Sequence, residues 1–250
     1  MIDLNCDMGE SYGAWPMGND AALMPYITSA NIACGFHAGD PMIMLGTVRL
    51  ARSFGVAIGA HPGYPDLQGF GRRTLPMSPT EVFAMVTYQV GALLAIARTE
   101  GATVRHVKPH GALYNAAARD RALADAIAQA VAKIDAQLLL YGLSGSALIA
   151  AGKAAGLRTC SEVFADRTYQ SDGSLTPRTQ PNALINEIET AVAQALQMTE
   201  QQNVTSVDGK IVNLVSETVC LHGDGAHAVE FARSIQGAFR QKGIVMRAPE

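Results

Sequence analysis

The chain has 250 residues, 48% of them hydrophobic and 16% charged, which permits a sizeable core and argues against disorder. A formal net charge of −3 gives no electrostatic footprint for nucleic acid, and no uncharged apolar run of about 18 residues offers a membrane span. Asp3, Asp7 and Glu10 stand where an export signal would be basic, so a cytoplasmic protein is expected.

In chain order, residues 2–7 alternate apolar and polar and read as a strand. A helical pattern over 19–27 leads to a strand over 30–36. Asp40-Pro41 then opens a helix over 41–54 that Gly55 closes. A third strand over 56–61 precedes Ser78-Pro79-Thr80-Glu81, a capping box with Pro at its first helical position, which starts a helix over 79–100. Strands over 103–108, 136–141 and 158–163 alternate with helices over 112–132, 145–155 and 182–200. Asp208-Gly209 predicts a small hairpin inserted before the last strand, 216–221, and a helix over 226–241 ends the chain. The four cysteines (6, 34, 160 and 220) form no C-x-x-C pair and fall in predicted strands, as reduced buried residues do.

Seven successive βα units predict a parallel sheet. The faces of the strands favour a closed seven-stranded (β/α) barrel, one domain over residues 1–250, rather than an open sheet. Ile32, Cys34 and Phe36 oppose Asn31, Ala33, Gly35 and His37; Val56, Ile58 and Ala60 oppose Ala57, Gly59 and His61. Val107 opposes His106, Lys108 and His110; Cys160 and Glu162 share a face, as do Cys220 and His222. An open sheet covered on both sides would be apolar on both faces. Here one face of strand after strand ends in an ionisable group, at the C-terminal end where βα loops build barrel active sites. Asp7, Glu10, Asp40, Asp66, Lys108, Glu162, Asp166, Arg167 and Asp224 lie in that zone with five of the six histidines. Pro109 can interrupt the alternation just before His110.

Familiar nucleotide signatures are missing. Gly145 to Lys153-Ala154 is too long for a P-loop and lacks its hydroxyl, and no G-x-S-x-G elbow occurs. Residues 223–228, GDGAHA, match G-x-G-x-x-A, but too little chain follows for a dinucleotide-binding unit. An anion at the following helix N-terminus is the better reading of that motif.

Six strings remain at strand ends: NCDMGES (5–11), SANIACGFHAGDP (29–41), GAHPGYPDLQGFGRR (59–73), KPHGALYN (108–115), EVFADRTYQSDGSLTPR (162–178) and HGDG (222–225). Together they resemble the LamB/YcsF family across nearly the whole chain. The resemblance implies a barrel of the glycoside hydrolase/deacetylase type and ATP-dependent hydrolysis of 5-oxoproline to glutamate. It also implies two partner subunits, B and C, with ATP a cosubstrate bound together with them. Asp7 is then the expected base or metal carboxylate, supported by Glu10. His61, His37 and His110 are expected in proton transfer or metal ligation, with Asp7, His37 and His61 as the ligand set of a divalent metal. Lys108 is expected to clamp the substrate carboxylate or an oxyanion, with Arg167 as the alternative. Asp40, Glu162, His222 and Asp224 complete the substrate- and phosphate-binding wall. Related deacetylase barrels carry an aspartate pair on the first strand, where this chain has Cys6-Asp7. Two alternatives stand beside this reading: a stand-alone metal-dependent deacetylase or amidohydrolase, and a non-catalytic binding subunit.

Overall fold

The computed structural model describes residues 1–222 and 227–250. In order the elements are β1 (Asp3–Met8), α1 (Asp20–Leu23), β2 (Ser29–Ala33), α2 (Pro41–Phe54), β3 (Ala57–His61) and α3 (Pro79–Thr99). Then come β4 (Val104–Val107), α4 (Gly111–Ala117), α5 (Arg121–Ile134), β5 (Leu139–Leu143), α6 (Ala147–Ala154) and β6 (Thr159–Phe164). Last are α7 (Ile188–Gln201), β7 (Asn203–Thr205), β8 (Ile211–Asn213), β9 (Thr218–Leu221) and α8 (Ala228–Gln241).

Strands β1 to β6 and β9 form a closed barrel with every neighbour parallel. Closure runs through β9, which pairs with β1 (Asp3↔Thr218, Cys6↔Leu221) and with β6 (Glu162↔Thr218). A closed sheet leaves no edge to pair with another chain. The two faces divide as their alternation dictates. Leu4, Cys6, Ile32, Ile58, Val107, Val163 and Val219 join one apolar core with Val48, Val86, Leu93, Ile127 and Ile235 of the helices. Asn5, Asp7, Asn31, His106 and Glu162 are buried too, and they bond to one another inside the barrel, with Asp3 buried below them.

Asp40 caps α2 by accepting from the amides of Met42 and Ile43, and Gly55 ends that helix at φ +68°. The capping box of Ser78 and Glu81 starts α3. By length and composition α3 could cross a membrane. Its Val82, Val86, Val90 and Leu93 instead pack into the barrel's core, and α5 packs beside it. The hairpin at Asp208-Gly209 forms as β7–β8.

Four boundaries differ from the sequence reading. The helix expected over 112–132 is two, because the Asp120 side chain caps a fresh start by accepting from the amides of Ala122 and Leu123. The strand expected over 136–141 begins at Leu139, after Asp135 turns the chain by accepting from the amide of Gln137. Strand β2 stops at Ala33, where Gly35 (φ +92°) opens a turn. The helix expected from 182 starts at Ile188, at the end of a long loop that Arg167 holds together.

Candidate active site

The barrel interior is a continuous polar network that rises toward the C-terminal mouth. At its floor Asp3 accepts hydrogen bonds from Thr28, Ser29, Tyr141 and Thr218 hydroxyls, at 2.5, 2.8, 3.0 and 2.6 Å. Burial pushes the Asp3 carboxyl up, and the hydroxyls only partly counter it. One layer higher, Asn31 donates from Nδ2 to Asn5 Oδ1 (2.7 Å) and Asp7 Oδ1 (2.8 Å). His106 Nε2 lies 2.7 Å from Asn31 Oδ1. Burial holds His106 neutral, down to about 3, so this nitrogen is the donor and fixes which way the Asn31 amide points.

Lys108, 2% exposed, closes the network. Its Nζ lies 2.9 Å from Asp7 Oδ1, 2.9 Å from Glu162 Oε1, 3.0 Å from Cys220 Sγ and 3.3 Å from Asn5 Oδ1. Burial opposes the ammonium charge, but Asp7, Cys220 and Glu162 outweigh it and raise Lys108 well above its ordinary value. Burial likewise opposes the Asp7 carboxylate, and His61 with Lys108 prevails, holding it well below the usual carboxylate range. The pair is therefore ionised.

Above Asp7 three imidazoles meet a second carboxylate. His61 ends β3, His37 and Glu10 sit on loops after β2 and β1, and His110 caps α4. One ligand atom each from Glu10, His37, His61 and His110 lies within 4.8 Å of all the others. His61 Nε2 is 3.3 Å from Asp7 Oδ2, and Glu10 Oε1 is 3.5 Å from both His37 Nε2 and His110 Nδ1. The rings of His37 and His110 stack at 3.7 Å. Burial first, and neighbouring imidazoles second, keep His37 and His110 neutral.

Backbone carbonyls fix two tautomers. His61 Nδ1 is 2.7 Å from Lys108 O and His110 Nε2 is 2.8 Å from Phe70 O, so those nitrogens carry the hydrogens. That leaves His61 Nε2 and His110 Nδ1 facing each other at 2.9 Å with a lone pair on each. Two lone pairs at that distance repel unless a proton or a cation lies between them. Neither ring nitrogen of His37, 1% exposed, has a hydrogen-bond partner among the described residues.

A small cavity opens over this floor, lined by Asp7, His61, Lys108 and His110, with Tyr114, Phe164 and His222 around them. Arg72, Arg167 and Arg178 give its wall a positive charge suited to a small anion.

With this geometry in view, likeness to known proteins is specific. The model of the LamB/YcsF family matches residues 2–250. The chain belongs to the LamB/YcsF family. It is 60% identical to the 5-oxoprolinase A subunit of Tolumonas auensis over 99% of this chain and 98% of that protein. A solved relative, the lactam utilization protein from Thermus thermophilus, superimposes with a TM-score of 0.94 at 47% identity over 99% of both chains. The catalytic domain of a peptidoglycan N-acetylglucosamine deacetylase from Eubacterium rectale shares the fold, with a TM-score of 0.55 at 11% identity over 100% of this chain and 88% of that one.

In this LamB/YcsF chain, Asp7, Glu10, His37, His61, Lys108 and His110 come together as one buried group. Pro109 does not divert His110 from it. Glu162 lies beneath, fully buried against Lys108 and Asn5. His222 faces the cavity with Nδ1 2.8 Å from Asp166, whose carboxyl is lowered; burial opposes this and His222 outweighs it. Arg167 donates to the carbonyls of Ala183 (3.2 Å) and Thr176 (2.6 Å), so most of its guanidinium staples the loop that carries Arg178. Asp40 is apart from the group, its carboxylate taken by the amides of Gly13, Met42 and Ile43. Asp224 and the rest of 223–226 lie outside the described residues. Asn31, Arg72, Arg178 and Tyr114 were not singled out from sequence. Asn31 shares its face with His37, and the arginines lie in two of the six strings. Tyr114 lies in a third string, KPHGALYN, where a helical pattern reads it as core.

Proposed function

We infer that this chain is the A subunit of an ATP-dependent 5-oxoprolinase, which with subunits B and C opens 5-oxo-L-proline to L-glutamate. It is a hydrolase acting on a cyclic amide. The observation that carries this reading is full-length identity of about 60% with a protein of that name. The mouth of the barrel supports it chemically. Opening a lactam requires a small cavity, a place for the carboxylate, an activated water and relief of charge on the carbonyl oxygen. Arg72 and Arg178 hold the substrate carboxylate at the cavity wall. Asp7 Oδ2, charged and 3.3 Å from His61 Nε2, orients the attacking water and takes its proton.

A stable five-membered amide is a poor electrophile, and ATP answers that. Phosphoryl transfer from ATP to the oxyanion formed when water adds to the ring carbon traps that adduct. The C–N bond then breaks as nitrogen takes a proton, leaving an acyl phosphate that a second water hydrolyses to glutamate and phosphate. This chain carries no P-loop, so phosphate transfer falls to the partner subunits or to an interface with them, over the basic wall of the cavity. Consumption of ATP and four free, buried cysteines support a cytoplasmic setting.

A divalent metal fits the donor set. Neutral imidazoles, lone pairs fixed by carbonyl partners and a His37 ring without hydrogen bonds are what a metal site presents before loading. Glu10, His37, His61 and His110 would hold the ion, with Asp7 at the edge; the sequence reading of Asp7, His37 and His61 thereby gains two ligands. When bound, such an ion would lower the pKa of water and polarise the lactam oxygen. Elemental analysis of the purified protein is expected to find metal that His37→Ala and His110→Ala both remove. No bound metal, with activity surviving exhaustive chelation, would contradict this.

The reading as a whole is tested by glutamate release from 5-oxoproline, assayed with this chain alone and with B and C, each with and without ATP. Turnover is expected only when all three subunits and ATP are present. Hydrolysis by the chain alone without ATP would instead support a stand-alone amidohydrolase.

A further inference from the structure

Lys108 was the natural candidate to stabilise negative charge on the substrate, and its geometry denies it that role. An ammonium has three hydrogens, and Asp7, Glu162, Asn5 and Cys220 already surround this one at 2.9–3.3 Å. Another donor must meet the oxygen on which charge collects as water adds to the lactam carbon.

Tyr114 is in the right place. It lies in the short helix α4, its ring edge-on to Phe164 with centroids 5.8 Å apart, and its side chain lines the cavity beside Lys108 and Asp7. The residue is 4% exposed, and its hydroxyl has no hydrogen-bond partner among the described residues. Glu162 is the carboxylate that acts most on that hydroxyl, by charge and as a hydrogen-bonding neighbour, yet neither the hydroxyl nor Glu162 Oε2 makes a well-formed hydrogen bond among the described residues. A buried hydroxyl left unpaired costs stability, and sites keep such groups when a ligand completes them. Of the buried polar groups without a partner among the described residues, Tyr114 is the one that lines the cavity.

We propose that Tyr114 is a catalytic residue whose O–H donates a hydrogen bond to the lactam oxygen as negative charge develops there. The inference rests on the 5-oxoprolinase reading. The bond forms fully only as the carbonyl carbon becomes tetrahedral, so its benefit falls on kcat and little on KM. The resting hydroxyl makes no well-formed hydrogen bond among the described residues, so removing it is expected to leave the fold as stable or more stable.

The test is Tyr114→Phe in the full chain, assayed with B and C and ATP for glutamate formation, beside a thermal melt of the isolated chain. A fall in kcat on the order of 10²-fold is expected. KM for 5-oxoproline should stay within about threefold, and Tm should be unchanged or raised. A kcat within about twofold of wild type overturns the proposal, as does a loss confined to KM. A lowered Tm or an unfolded variant also overturns it, because the hydroxyl then has a structural partner. Wild-type chain that forms no glutamate with its partners would refute the reaction assignment itself, a result separable from any behaviour of the variant.

Discussion

Lys108 holds carboxylate, amide and thiol neighbours of β1, β6 and β9 in one place, and its loss strands two buried anions. Replacing one member of a buried pair costs about 3–5 kcal/mol when the other charge is left behind. Lys108→Met is expected to lose stability of that order and to lose activity as Asp7 shifts. The pH dependence has a definite sign. Asp7 lies lower in the folded chain than its usual value, so its pairing stabilises the protein above about pH 4, where the unfolded carboxylate is ionised. That share is lost as pH falls through the lower folded value. Lys108 is raised, so its share is full below about pH 10.4 and fades above it. The stability gap between wild type and Lys108→Met, followed by denaturant unfolding, should therefore be flat from about pH 5 to pH 9 and shrink below about pH 4. A gap that widens on acidification would contradict the ionised pair.

At the scale of elements, the strands hold the network by packing imidazoles over glycines. A Cβ on Gly59 of β3 would lie 2.0 Å from His106 Nε2 of β4, and His106 has nowhere to retreat, stacked at 4.2 Å on Tyr141. Gly59→Ala should cost about 1–3 kcal/mol, read as a lower denaturant midpoint, with loss of the Asn31 orientation behind Asp7. An unchanged midpoint would mean that His106 is not held there. The same strands explain what could be read in advance. Period-two alternation identified the interior faces, so Asn5, Asn31, His61, His106 and Lys108 were legible as facing the barrel axis. Alternation ends with the strand, however. Glu10, His37 and His110 reach the cluster from loops, and only glycine turns such as Gly71, against which His37 and His110 pack, decide that they converge. The division into α4 and α5 was missed because Asp120 reads equally well as a solvent-facing helical residue until its side chain is seen to cap. Arg167 belonged to the site by position, and the carbonyls that claim it lie 9 and 16 residues further along the loop.

For the whole molecule, the barrel separates two tasks. Its lower interior is polar yet internally satisfied, from Asp3 up to Asn31, and serves as a rigid base. Its mouth collects a charged pair, three imidazoles, a basic wall and an unpartnered phenol around one small cavity. The sequence carries no P-loop, consistent with an enzyme shared among subunits. Both tasks meet at Asp7, the top of β1. The most direct measurement of the central claim is ATP-dependent glutamate formation by Asp7→Asn with subunits B and C, alongside its melting curve. The amide keeps the shape of the side chain, so the account predicts a folded variant whose turnover falls by about 10³-fold. Turnover near that of wild type, in a folded Asp7→Asn protein, would contradict it.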